Sequence, residues 1–327
     1  MTPDARHLPE ARIDPLPGAI LMPMTSEETH ACGVLDAEGR PVPAGRTLLS
    51  GGRFTPDPAP PSEPPQELSG RWLFAGVGRH HFGHFLLEAT PRLWALDHAA
   101  GPVDGIALLP MAGRDIAAVL RRRLGPLIDR LGHGLPVRLV DRPTRVETLI
   151  LPSQGFGHLH WSTGSPEARA YMRRHLCADV APEGPERIYV SRRRLKSRIR
   201  QVPFEAEIES WMEAAGFGIF HPEHHPIRDQ IARYRAARVI VGPDGSAFHL
   251  AAMVMAPGTR VGLIQRRSRQ PVFDAIAAQI VSFGQADLWT TAALARFHDD
   301  PHQPDQESAL PPELHRLRAD LSAGGFI

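Results

Sequence analysis

Three side chains able to do chemistry fall at i, i+4 and i+8 in one short stretch: His84, Glu88 and Arg92. On a helix this spacing stacks them along one face. A histidine beside a carboxylate can take a proton from a hydroxyl, because its pKa lies near working pH. His84 is therefore the base candidate, with Glu88 as its orienter or as an alternative base. Arg92 reads as a contact to phosphate or to a cleft, and His81 is grouped with it. The plain alternative is a surface pair on the helix with a buried structural Arg–Glu bridge.

A second constellation lies downstream. The apolar run ending at Val241 is followed by Gly242-Pro243-Asp244-Gly245-Ser246 and a helical pattern. A strand–turn–helix of this kind presents unpaired backbone N–H groups and the positive end of a helix dipole, which together bind anions. Gly245 permits close backbone approach, and the Ser246 hydroxyl can add a bond to phosphate. Asp244 suits a helix N-cap or an acceptor for a ribose hydroxyl, and His249 is placed on the same anion-binding side. The alternative is an ordinary link capped by Ser or Asp. Ser191-Arg192-Arg193 follows another apolar run, Ile188-Tyr189-Val190, and ligands of open α/β sheets gather at the carboxyl ends of strands. These guanidiniums stand where a diphosphate would. The rest of that basic run, Arg194, Arg198 and Arg200, reads as a solvated face or, less simply, as an RNA-contacting patch.

Composition narrows the field. Of 37 Lys and Arg residues only Lys196 is a lysine, so a phosphate-binding cation here is a guanidinium, suited to bidentate contacts. The formal net charge of +1 gives no global pull toward nucleic acid, and none is expected as a partner. Two cysteines in unrelated contexts suggest neither a disulfide framework nor a CxxC site. His80, His81 and His84, and also His221, His224 and His225, cluster without cysteines or an HExxH pattern, so no metal and no cofactor is expected. There is no Asp-x-Asp triplet, GxxxxGK[ST] or GxSxG sequence, and Gly76-Val-Gly78 lacks the third glycine of a dinucleotide fingerprint. The N-terminus carries no basic-then-apolar leader pattern, and no apolar run approaches the ~20 residues of a membrane span. A cytoplasmic setting is expected, with peripheral membrane or assembly-complex attachment left open.

Elements must position these groups. Residues 1–70 are rich in proline and turns, and short strands followed by a connector are expected there. From 71 to 181, strands at 72–75, 105–109, 137–140 and 148–151 alternate with helices beginning near 83 and over 114–131 and 166–177. Pro182-Glu183-Gly184-Pro185 marks a boundary. From 186 to 285 the alternation sharpens, with strands at 188–190, 218–220, 239–241 and 260–264 and helices at 204–215, 226–236, 246–255 and 272–281. Such alternation favours parallel sheets. Residues 286–327 read as a helical tail, interrupted at 298–304, that packs back on the first domain.

The ordered blocks Arg187-Ile-Tyr-Val-Ser-Arg-Arg, Gly216-Phe-Gly-Ile-Phe, Gln230-Ile-Ala, Ala237-Arg-Val-Ile-Val-Gly-Pro-Asp-Gly-Ser-Ala and Pro257-Gly-Thr resemble glycosyltransferase family 61. Upstream, His84-Phe-Leu-Leu-Glu-Ala-Thr-Pro-Arg-Leu is similar to that family's histidine–glutamate–proline–arginine helix. The likeness runs over about residues 71–265. It implies a GT-B-like α/β fold of two Rossmann-like domains facing a cleft, with an irregular β N-terminal region. It also implies inverting transfer from a nucleotide-sugar to a glycan or polysaccharide, as in bacterial capsule synthesis, with no divalent ion. Where the family carries a histidine before Gly-Ala-Gly, this chain has Asp244, Gly245, Ser246 and Ala247. That thinned loop motivates an alternative: a catalytically degenerate nucleotide- or carbohydrate-binding module of a polysaccharide assembly complex.

Overall fold

The computed structural model describes residues 4–26, 28–112, 115–119, 124–196, 202–295 and 311–327. The chain forms two compact units, Met1–Leu176 and Cys177–Ile327. Arg198, Arg200 and the interruption expected at 298–304 lie outside the described residues.

The first unit begins with β1 (Ile13–Pro17), β2 (Ile20–Met22), β3 (Gly33–Leu35) and a two-strand ribbon, β4 (Leu48–Leu49) and β5 (Arg53–Phe54). Then come β6 (Gln66–Gly78), α1 (Phe82–Glu88), β7 (Gly105–Pro110), α2 (Ile116–Val119), α3 (Gly125–Leu131), β8 (Val137–Leu139), β9 (Thr144–Pro152) and α4 (Pro166–Cys177). Strands β9, β6, β7 and β8 are parallel neighbours in that order, while β1 and β2 add antiparallel to β9, and β3 to β2. Parallel strands are covered on both faces. Accordingly Phe74, Val77, Ala107, Leu109, Leu149 and Leu151 share one buried core with Leu21 and Val34 from the N-terminal strands. The boundary expected at residue 70 is thereby corrected. It falls inside β6, and the Pro-rich start is part of the sheet. Of the helix expected over 114–131, the described residues form α2 and α3. Pro126 stands in the first turn of α3, where its missing N–H leaves no helical bond unmade.

In its described residues the second unit alternates strand and helix. It runs β10 (Arg187–Val190), α5 (Glu205–Ala214), β11 (Gly218–Phe220), α6 (Ile227–Ala236), β12 (Val239–Pro243), α7 (Ser246–Val254), β13 (Arg260–Ile264), α8 (Gln270–Gly284), β14 (Asp287–Thr291) and α9 (Pro312–Ala323). All five strands are parallel in the order β11-β10-β12-β13-β14. In chain order that is 2-1-3-4-5, a doubly wound sheet whose direction of winding switches between β10 and β12. The register aligns Ile188, Ile240, Val261 and Leu288 in one apolar row.

The tail departs from expectation twice. Asp287–Thr291 is a fifth strand, where Trp289 and two threonines favour the extended backbone. Helix α9 buries Leu314, Leu317 and Leu321 in the core of its own unit, with Tyr189, Val241 and Ile264, where packing on the first domain was expected. The spacing i, i+3, i+7 gives the helix one apolar stripe, and that core takes it up. No helix among the described residues is long and apolar enough to cross a membrane.

Candidate functional site

Two clusters of ionisable side chains form at the carboxyl ends of parallel strands, one in each unit. In the first unit, β6 ends at Gly78 and its loop carries Arg79, His80 and His81 into α1. The close approach of α1 to β6 depends on Gly76 (φ 121), where a Cβ would collide with the Glu88 carbonyl. On α1, His84 Nδ1 lies 2.8 Å from Glu88 Oε1, and Glu88 is fully buried. The same oxygen lies 2.8 Å from Nε2 of His158. Arg79 Nε stands 3.0 Å from Oε2, an ion pair without hydrogen-bond alignment.

His158 comes from the loop after β9, the strand beside β6. That loop is pinned to α1 and the turn beyond it. Gln154 Nε2 donates to the Leu87 carbonyl (3.3 Å), and the Gly155 amide donates to Pro91 (2.8 Å). Burial pushes the Glu88 carboxyl up, but the hydrogen bonds from His158 and His84 outweigh it and hold the group below its ordinary value. An ionised carboxylate only accepts, so His84 donates through Nδ1 and His158 through Nε2. This leaves Nε2 of His84 as its basic nitrogen, on a side chain that keeps 31% of its surface exposed. Cys32 is no nucleophile, since burial pushes its thiol up to about 12.

Arg92 is corrected. Helix α1 ends at Glu88, so residue 92 is not a third member of its face. The Arg92 side chain is buried inside the first unit. It donates to the carbonyls of Pro152 (3.1 Å), Ala44 (3.3 Å) and Arg46 (2.6 Å) and stacks 5.1 Å from the centre of the Phe74 ring. Burial lowers it to about 9, and it serves as a clamp between loops rather than a ligand contact. His81 is the N-cap residue of α1, its ring 4.4 Å from that of His80 and 5.9 Å from that of His84.

In the second unit the cluster sits at the switch between β10 and β12. Gly245 is the N-cap of α7, which carries no side-chain cap. The Arg192 guanidinium packs directly on Gly245, where any Cβ would collide with it. Ser246, the first residue of α7, is exposed. Asp244 is not the N-cap expected of it. The register Pro243↔Ile264 sets it beside the end of β13, where Arg266 Nε donates to its carbonyl (2.8 Å) and lies 3.0 Å from Oδ1. Burial raises the Asp244 carboxyl, against the pull of Arg266 and Arg192. Burial also lowers Arg266 to about 9 and lowers Arg192.

The backbone N–H of Arg192 donates to Glu205 Oε1 (2.9 Å), which also accepts from the Tyr189 hydroxyl (3.2 Å). Burial raises Glu205 to about 7. The neighbours of Arg192 turn to α5 instead. Ser191 Oγ donates to Glu209 Oε1 (2.7 Å) and Arg193 Nη1 to Oε2 (2.8 Å), which ties both residues to α5. His249, one turn into α7, has Nδ1 2.5 Å from Oε1 of buried Gln279 on α8.

Of the groups read from sequence, His84 is thus joined to Glu88, and Arg192 to Gly245. Sequence reasoning missed Arg79, His158 and Arg266. For Arg266 a signal existed: Arg266-Arg267 follows β13 after one residue, just as Arg192-Arg193 follows β10. For His158, 70 residues from Glu88, none did.

The profile of the family described as Glycosyltransferase 61 matches residues 82–262, more than half of the chain. The match takes in both clusters except Arg79, His80 and His81 at the start of the first and Arg266 and Arg267 at the end of the second. A search of curated proteins finds no match.

Proposed function

The chain belongs to glycosyltransferase family 61, and from that premise we propose that it is an inverting, nucleotide-sugar-dependent transferase of GT-B type that needs no divalent ion. The second unit binds the donor. Its diphosphate lies against Arg192 and the amides that open α7, at the switch between β10 and β12, the place where doubly wound sheets take their ligands. The single observation that carries this is the Arg192 guanidinium packed on Gly245 at the uncapped start of α7.

The first unit supplies the base. Glu88 accepts the Nδ1–H of His84 and fixes the tautomer whose lone pair is on Nε2. That nitrogen takes the proton of a glycan or polysaccharide hydroxyl as the oxygen bonds to the anomeric carbon. The bond from that carbon to the donor phosphate breaks, and the electron pair leaves with the nucleoside diphosphate. Arg192, seconded by Arg266, offsets the charge that develops there. One displacement inverts the anomeric configuration.

The test is release of nucleoside diphosphate from a panel of nucleotide-sugars, with and without a chelator. Turnover that survives chelation, with an inverted product linkage, supports the reading. Dependence of the chemical step on an added divalent ion overturns its metal-free part. Donor binding with neither hydrolysis nor transfer on any acceptor favours the degenerate binding module, a reading that the Asp244–Arg266 pair inside the anion site supports.

A further inference from the structure

A second set of ligand-type side chains lies in the first unit, on elements that the proposed chemistry does not use. Asp97 closes a 3-10 turn, Leu93–Asp97, beyond α1. His133 lies in the turn after α3, and His175 in the last turn of α4. His175 Nε2 stands 3.0 and 3.1 Å from the two Asp97 oxygens, and the His133 and His175 rings are 4.3 Å apart. One donor atom from each residue falls within 4.8 Å of the other two.

We propose that Asp97, His133 and His175 form a binding site for a divalent transition-metal ion of the zinc class, which clips three segments of the first unit together. Two imidazoles and a carboxylate match the ligand preference of zinc, and a tetrahedral ion with bonds of about 2.0–2.2 Å requires donors about 3.4 Å apart. The present donor atoms, within 4.8 Å of one another, would draw together to that spacing around an ion. A fourth position is left for water.

The surroundings support the assignment. The Tyr171 hydroxyl donates to the Leu131 carbonyl, so toward His133 Nε2, 3.3 Å away, it can only accept. That bond fixes an Nε2–H tautomer and leaves Nδ1 of His133 for the ion, the usual way in which an outer partner orients a metal-bound histidine. Arg174 pairs with Asp97 Oδ2 at 2.8 Å, but its side chain is 67% exposed and can turn into water at little cost.

The group formed by His84, Glu88 and His158 has the same composition, yet it does not suit a cation. Both rings there donate to one oxygen of Glu88, and Arg79, only 13% exposed, sits on the other.

The experiment titrates zinc chloride, and separately cobalt(II), into the full chain stripped with a chelator. Calorimetry should give one tight site, zinc should raise the melting temperature, and cobalt should give the absorption of a tetrahedral ion. His133→Ala and His175→Ala should each weaken zinc by at least about tenfold, the scale that even outer-shell changes reach, while His158→Ala leaves the affinity unchanged. His175→Cys should add a thiolate–cobalt charge-transfer band, a gained signal that no folding defect imitates. Zinc heats identical in the His133→Ala/His175→Ala double variant and the parent, or affinity lost only with His158→Ala, overturn the site. If chelation lowers sugar transfer, the double variant tells the causes apart. A comparable loss there, unrestored by zinc, places the effect at this clip and leaves the metal-free chemistry standing.

Discussion

The two clusters solve opposite electrostatic problems with the same topological device. At the ends of β6 and β9, one buried carboxylate is ringed by two imidazoles and a guanidinium, and the hydrogen bonds hold Glu88 ionised. At the ends of β10, β12 and β13, guanidiniums gather around the buried Asp244, and burial works against ionisation of both signs. The first arrangement is complete in itself: every charge on Glu88 is answered by a partner. The second remains under strain from desolvation, and an incoming anion would relieve it by supplying negative charge to Arg192 and Arg266. Under the proposed function, the base site gains from being finished before substrate arrives, whereas the anion site gains from being left unfinished.

That contrast can be broken most forcefully at His84. His84→Ala should lower turnover by about 10²–10⁴-fold with donor affinity unchanged, since general-base catalysis is worth that much. Equal loss of donor binding would show that the first cluster is not specialised for proton transfer. Arg192→Ala should lower turnover by about 10²–10³-fold, the range for one lost donor to a developing anion, and should weaken nucleoside diphosphate in calorimetry. Retained turnover with bound donor would remove Arg192 from the chemistry.

The pH dependence of stability separates the clusters more finely. Glu88 titrates below its ordinary value when folded, so its stabilisation is present above about pH 4.5 and is lost as pH falls through the lowered value. Glu205 is raised from 4.5 to about 7, so its folded state holds a proton that the unfolded chain has given up. Its contribution is full below about pH 4.5 and fades as pH rises through 7, by up to about 3 kcal/mol. Denaturant unfolding from pH 5 to 8 should therefore show a declining transition, and Glu205→Gln should flatten it. The smallest effect belongs to Ser246→Ala. Ser246 is exposed and makes no cap, so the unfolding free energy should change by no more than about 0.5 kcal/mol. The apparent donor affinity should fall several-fold if the hydroxyl reaches phosphate.

Much of the fold is legible in the sequence, and unevenly so. In the second unit, short apolar runs and amphipathic stretches alternate at regular spacing, and Ser246 opens α7 where the glycine turn says it should. In the first unit, β1 and β2 pair with a strand more than 100 residues away, and no local pattern encodes such a partner. The tail misleads because Asp287–Thr291 is an edge strand with both polar and apolar faces, too short to set a period. Arg92 misleads because spacing alone cannot tell that a helix stops four residues earlier.

By itself the sequence determined which chemistry was on hand: a histidine four residues before a glutamate, an arginine pair after an apolar run, and a glycine turn before a helix. These are local relations, written in the covalent order of the chain. Tertiary structure decided which of them converge. The parallel register sets the ends of β10, β12 and β13 side by side, which joins Arg192 to Gly245 and Arg266 to Asp244. The adjacency of β6 and β9 delivers His158 to Glu88 across 70 residues. The physical reason is that strand pairing and burial are properties of the packed sheet, and distance along the chain does not enter them.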